Sequence, residues 1–187
     1  MSPLSRRLLA SSLALLLGAC ASLTSTSVSE QQINDYLASK AGFEKSLGIP
    51  GIMSAKIRLG DLKSHIGRSA PDKIDLDGAG DLTITTPSGR QAMSVRLALR
   101  ARPDYQPKQG AIYLQDLELI SVATEPADVG AALTPLLPMI SLSLSQFLEQ
   151  TPVYRLNDKN EKEAMAKEHV GGLEVRPGRL EIPLTLL

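Results

Sequence analysis

Tryptophan is absent from this 187-residue chain, phenylalanine occurs twice, tyrosine four times, and Cys20 is the single cysteine. One cysteine excludes an internal disulfide framework and a thiolate metal cage, so stability must come from burying apolar surface. Neither sign of charge is in excess, with 20 lysines and arginines against 20 aspartates and glutamates. A chain without a clustered positive surface is a poor partner for nucleic acid, and none is expected. Imidazole is scarce, at His65 and His169. Neither stands in an H-E-x-x-H pair, no G-x-S-x-G elbow occurs, and Ser64 beside His65 is plain adjacency. Nothing therefore points to a nucleophile–base–acid set. No catalytic residue, metal site or cofactor is assigned, and the protein is expected not to be an enzyme. Long hydrophobic runs are missing as well. The apolar stretch at residues 8–17 has ten residues, too few for the roughly 20 that a membrane span requires.

What is there at the N-terminus is a signal segment. Arg6 and Arg7 precede the short apolar run, and Leu17-Gly18-Ala19-Cys20 ends it. That ending resembles a bacterial lipobox, in which a peptidase cuts before a diacylglyceryl cysteine. An ordinary secretory signal with an incidental cysteine is the blander alternative. The resemblance implies a signal peptide at 1–19 and an acylated, palmitate-bearing Cys20. A flexible Ser/Thr-rich tether then covers 20–27, and one domain covers 28–187. Two or more acyl chains hold a protein stably on a bilayer where one does not. Ala21 stands where an aspartate would retain a lipoprotein at the inner membrane. By analogy the expected location is the outer membrane of a Gram-negative bacterium, facing the periplasm. Loss of residues 1–19 removes Arg6 and Arg7 but no acid, leaving 18 basic and 20 acidic residues.

The body reads as a small amount of helix and a large amount of strand. Ser29 with Gln32 makes a capping box, and Val28 with Ile33 a hydrophobic staple outside it. The helix they open continues through Ile33, Tyr36, Leu37 and Ala41, and Gly42 or Gly48 ends it. Apolar residues then alternate at 53–59, 74–84 and 93–101. This period of two predicts antiparallel strands with one wet and one buried face. Ile112 and Leu114 begin a fourth strand whose phase shifts at Leu117 and Leu119, predicting a bulge near Gln115 and Asp116. Gly78 and Gly80 on the apolar side allow a sharp bend.

Residues 127–149 change to helical spacing through Val129, Leu133, Leu136, Leu137, Ile140, Leu144, Phe147 and Leu148. Pro135 and Pro138 predict a kink or a break into two pieces. No charge lies between Asp128 and Glu149, so most of this rod is expected to be covered by a concave sheet. The tail predicts a short strand at 153–156, a polar helix at 160–169 closed by Gly171 and Gly172, and a hairpin turning on Pro177-Gly178. Leu180, Ile182, Leu184 and Leu186 alternate to the end, with Pro183 marking an edge strand.

Three motifs invite chemistry. "DLDGAGD" at 75–81 matches the opening of a calcium loop, but its twelfth position is Thr86 instead of glutamate. Its aspartates also fall on the wet face of a well-patterned strand. Arg96, Arg100 and Arg102 recur near one sheet face and could meet anionic head groups; a solvated face is the simpler reading. The leucines at helical spacing are either plain core or the wall of an apolar slot. Scarce aromatics make a tight core harder to build.

"SEQQINDYLASKAGFEKSLGIPGIM", "LLPMISLSLSQFLEQTPVYRL" and "EAMAKEHVGGLEVRPGRLEIPLTLL" resemble the YceB-type bacterial lipoproteins. The likeness runs over roughly 29–187. It implies an α+β fold in which a strongly curved antiparallel sheet wraps a long helix, similar to the tubular lipid-binding (TULIP, BPI-like) superfamily. The ligand-groove candidates are then Ile33, Leu37, Leu133, Leu137, Ile140, Leu144 and Leu148. The function so implied is binding of a lipid, such as a fatty acid, or another apolar ligand. The rival expectation is an envelope interaction or structural module with a filled core and a protein partner that the sequence does not name.

Overall fold

The computed structural model describes residues 25–40, 42–49, 51–168 and 172–184. The signal segment, Cys20, His169, Gly171 and Leu186 lie outside them. The chain begins with strand β1 (Ser25–Ser29) and helix α1 (Glu30–Ala38). Strands β2 (Phe43–Ile49), β3 (Met53–Ile66), β4 (Ile74–Thr86), β5 (Gly89–Gln106) and β6 (Ala111–Glu125) follow. A 3₁₀ segment (Ala127–Leu136) leads into helix α2 (Leu137–Gln150), then β7 (Tyr154–Arg155), helix α3 (Glu161–Glu168), β8 (Glu174–Arg176) and β9 (Arg179–Pro183). Strands β2 to β7 make one antiparallel sheet in sequence order, and β1, β9 and β8 make a second, small one.

The large sheet is strongly curled. Laid flat, β2 and β6 would stand four strand spacings apart, about 19 Å. Helix α2, only about 10 Å across, nevertheless packs on both. Phe43 of β2 meets Phe147 of α2 edge-on, ring centres 5.2 Å apart. Inward alternation supplies the core: Ile57, Leu59, Leu76, Leu82, Val95, Leu97 and Leu99 are all nearly inaccessible. The bend has a local cause. Strand β3 carries an extra residue at Gly60, and Gly80 faces Leu59 across the pair. A Cβ on Gly80 would sit 1.9 Å from the Arg58 carbonyl oxygen, so only glycine permits this approach.

The curl gives the molecule two unlike ends. At one, β3 finishes at Ile66 and β5 passes into β6 through the 3₁₀ turn Pro107–Gln109. The small sheet and α3 cap this end. Gly178 donates its N–H to Ile66 at 3.0 Å, and Tyr105 donates its hydroxyl to the Ala166 carbonyl at 2.9 Å. At the other end lie the β2–β3 turn, the β4–β5 turn and the finish of β6, and no small sheet closes it.

The capping box forms as expected, with Gln32 N–H donated to Ser29 Oγ and Ser29 N–H to the Gln32 side chain. The predicted β6 bulge is present. Asp116 adopts φ 55°, and Asp116 with Leu117 faces Ala101 alone. The predicted break also occurs, 3₁₀ turns carrying Pro135 and α2 beginning with Pro138 in its first turn.

Several expectations fail. Residues 25–27, assigned to the tether, are strand β1. Thr26 and Val28 are buried and pair with Ile182 and Leu180, because threonine suits a strand as well as a linker. Helix α1 stops at Ala38, and 43–49 is edge strand β2 rather than helix end and loop. Charged Glu44 and Lys45 mask its period. Pro183 does not mark an edge strand, since β9 is central in its sheet. The proline sits at the strand's end, beyond the last pair with β8 at Glu174–Glu181. Finally, the uncharged rod is covered on one side only. Met139 is 42% and Leu142 60% exposed.

Candidate functional site

Strand β6 is the place where the sheet stays open. Strand β7 pairs with Ala111 and Ile112, and among the described residues the outer edge of β6 beyond them has no strand partner. Its inward residues Leu117, Leu119, Val122 and Thr124 are only half-buried, while their counterparts on β3, β4 and β5 are shut away. Two bulges cause this. The first, at Asp116–Leu117, and the second, at Ile120, swing the strand's end out of register with β5. The 3₁₀ segment then crosses back without closing on the free edge.

Between them lies a slit of about 380 Å³, lined by Val122, Ala123, Thr124, Ala127, Leu133, Thr134 and Leu137. That volume lies within the range of small-molecule sites, roughly 300–1,000 Å³. Among the described residues none that lines the slit carries a charge. Aliphatic walls, two threonine hydroxyls and a bare strand edge suit an apolar chain with at most a neutral polar end. A larger hollow of about 430 Å³ lies on the outer face of the sheet, lined by small residues and by Asp61, Lys63, Asp77 and Arg96. Its charged rim suits water.

The expected groove residues divide. Leu133 and Leu137 line the slit. Ile140, Leu144 and Leu148 lie on the inner face of α2, each 2% exposed, and fill the middle of the hollow. Ile33 and Leu37 belong to α1, which packs on β3 and β7 toward the capped end. Val122, Ala123, Thr124, Ala127 and Thr134 escaped sequence reasoning. The phase change in β6 was their one signal.

The other candidates are structural. Arg100 Nε donates to Asp75 Oδ1 at 2.7 Å, and Ser69 also bonds that carboxylate. Partial burial raises the Asp75 carboxyl, but these bonds outweigh it and leave its pKa below the usual carboxylate range. His65 Nε2 lies 3.1 Å from Asp77, and Arg102 pairs with Asp116 at 2.9 Å. Asp75, Asp77 and Asp81 thus lie along the wet face, each in its own surroundings. Among the described residues no three potential metal ligands converge.

The capped end holds the buried polar chemistry. Glu163, 1% exposed, accepts from the Asn157 N–H at 2.7 Å, from Asn160 Nδ2 at 3.2 Å and from the Tyr154 hydroxyl at 3.2 Å. Burial, and then the nearby Glu163 charge, push the Tyr154 pKa up to about 12. Asn34 accepts the Ser64 N–H at 2.7 Å, and Glu30 accepts the Ile66 N–H at 2.9 Å. Side chains of α1 therefore satisfy the edge of β3 beyond Leu59, before β2 begins.

The Salmonella typhimurium protein named uncharacterized lipoprotein YceB is 39% identical over 171 residues, covering 91% of this chain and 92% of that one. The Escherichia coli protein of the same name is 37% identical over the same extent. A crystal structure of lipopolysaccharide binding protein superposes with a TM-score of 0.41 at 10% identity. It covers 87% of this chain, which spans about half of that structure, 49%. The sequence profile described as protein of unknown function (DUF1439) matches residues 28–179, and the chain belongs to that family, together with the YceB lipoproteins.

Proposed function

We propose that the protein is a lipid-anchored component of the cell envelope that holds an apolar chain, of a lipid or fatty acid, in the slit between β6 and the 3₁₀ segment. Cys20 carries the acyl anchor, the signal peptide at 1–19 is removed, and the domain faces the periplasm from the outer membrane. The lipoprotein relatives support the anchor. The protein acts by binding, without catalysis.

The observation that carries this reading is the uncharged slit, together with the half-buried row Leu117, Leu119 and Val122, in a core otherwise closed. Uptake of a fluorescent fatty acid by the purified protein tests it. Saturable uptake is expected, and Thr134→Trp, which lays a ring across the slit, is expected to abolish it. Uptake equal in both proteins, or none in either, contradicts the proposal.

A second reading, an envelope interaction module, is favoured by one observation. Ile140, Leu144 and Leu148 fill the middle of the hollow, so the slit is short and no tunnel runs the length of the sheet. Crosslinking in cells would support this reading by recovering one stoichiometric protein partner on a protein whose slit stays empty.

A further inference from the structure

Five large aliphatic side chains stand out into solvent among the described residues: Ile49, Ile52, Ile120, Met139 and Leu142. Four of them share one end of the molecule. Ile49 and Ile52 are 62% and 64% exposed and form the β2–β3 turn, closed by Ile52 N–H donated to the Ile49 carbonyl at 3.1 Å. Met139 and Leu142 lie on the first two turns of α2. With Phe43 against Phe147, β2 and α2 run in opposite directions, so the β2 tip points toward the beginning of α2. This is the uncapped end, where the slit also opens.

The charges around it are arranged unevenly. From Ser46 to Ala55 the hairpin has none, and Lys45 and Lys56 bracket it. Lys56 stands about 13 Å along the strand from Ile52. Arg90 lies exposed in the neighbouring β4–β5 hairpin, beside Thr85. Glu44 is the acid among them, and Lys56 and Arg58 both bind it, each at 2.8 Å. Among the described residues Lys45 and Arg90 are exposed and pair with no carboxylate. Glu125 ends β6, where it pairs with Ser94 of β5.

We propose that this end docks on a lipid bilayer bearing anionic headgroups, with Ile49 and Ile52 entering the headgroup layer and Lys45 and Arg90 meeting its charge. Aliphatic side chains buried about 5–10 Å deep, with cations set behind them, are the recipe for peripheral membrane binding. The patch has no aromatic anchor of the kind that dominates protein interfaces. Docking here brings the mouth of the slit to the source of its chain. It is a second membrane contact, distinct from the proposed anchor, because β1 belongs to the small sheet at the capped end.

The inference extends the lipid-binding reading but does not share its test. A cysteine at Ile52 (I52C), labelled with an environment-sensitive dye, is introduced into acylated full-length protein purified from membranes. A matched label at exposed Lys159 (K159C) reports the capped end. In vesicles of phosphatidylethanolamine with phosphatidylglycerol, the dye at 52 is expected to shift to the blue and to be quenched by brominated lipid. The dye at 159 is expected to remain in water. Lys45→Glu with Arg90→Glu should return the dye at 52 to water while leaving fatty-acid uptake intact, which also shows the variant is folded. A dye at 52 that stays in water on such vesicles overturns the proposal, as does one shielded only when membrane proteins are added. A docked tip with no fatty-acid uptake counts against the slit alone, and uptake with an undocked tip counts against the docking alone.

Discussion

At the capped end, buried polar groups are numerous and all satisfied; at the open end there is little polar to satisfy and the apolar surface is left in water. Glu163, Tyr154, Gln32, Asn157 and Asn160 form one hydrogen-bonded cluster across α1, β7 and α3. No buried side-chain nitrogen or oxygen among the described residues lacks a partner. At the other end Ile49, Ile52, Met139 and Leu142 stand exposed to solvent. The two ends differ in chemistry: hydrogen-bonded polar groups at one, exposed aliphatic side chains at the other.

Substitutions can break this contrast or sharpen it. The largest effect is expected within α2 itself. Leu144→Ala should lower unfolding free energy by about 3–4 kcal/mol in urea titration, because it leaves a cavity in a closed core. Leu142→Ser, two residues away and exposed, should stay within about 0.5 kcal/mol. If both cost the same, the two faces of α2 are not as different as described. Next comes Glu163→Ala, which strands several buried donors and should cost about 3 kcal/mol.

A smaller effect depends on pH. The Tyr154 pKa is raised in the folded state to about 12. Its contribution is therefore complete below the ordinary tyrosine value near 10 and is lost as pH rises from there through about 12. Thermal melts should decline over that window, and Tyr154→Phe should flatten the decline. The smallest change in stability belongs to Thr134→Trp, within about 0.5 kcal/mol of wild type, although it is the substitution expected to abolish binding. A variant there that unfolds would show the slit to be tightly packed rather than open.

Local patterns were the legible part of this fold. The capping box at Ser29, the period of two in β4 and β5 and the hairpin at Pro177-Gly178 each need only neighbouring residues, and each appears as read. Strand β3 shows the limit. Its extra residue at Gly60 reverses which residues face inward, so Ser64 and Ile66 fall out of phase with Ile57 and Leu59 and the continuation to Ile66 was hidden. The same effect helped to conceal the slit, since the second β6 bulge, at Ile120, acts through its partner strand. Strand β2 was hidden differently. It is an edge strand whose charged Glu44 and Lys45 face water, and an edge strand needs only weak alternation. The proline break was legible, but which side of α2 faces water depends on where the sheet's free edge ends, and no local pattern encodes that.

The most direct test is native mass spectrometry of wild-type protein and Thr134→Trp, each taken from the envelope without detergent that could exchange bound lipid. Wild-type protein should carry a non-covalent lipid mass beyond its own acyl anchor, and Thr134→Trp should carry the anchor alone. Wild-type protein recovered repeatedly with nothing bound, or the same bound mass on both proteins, would contradict a ligand in the slit.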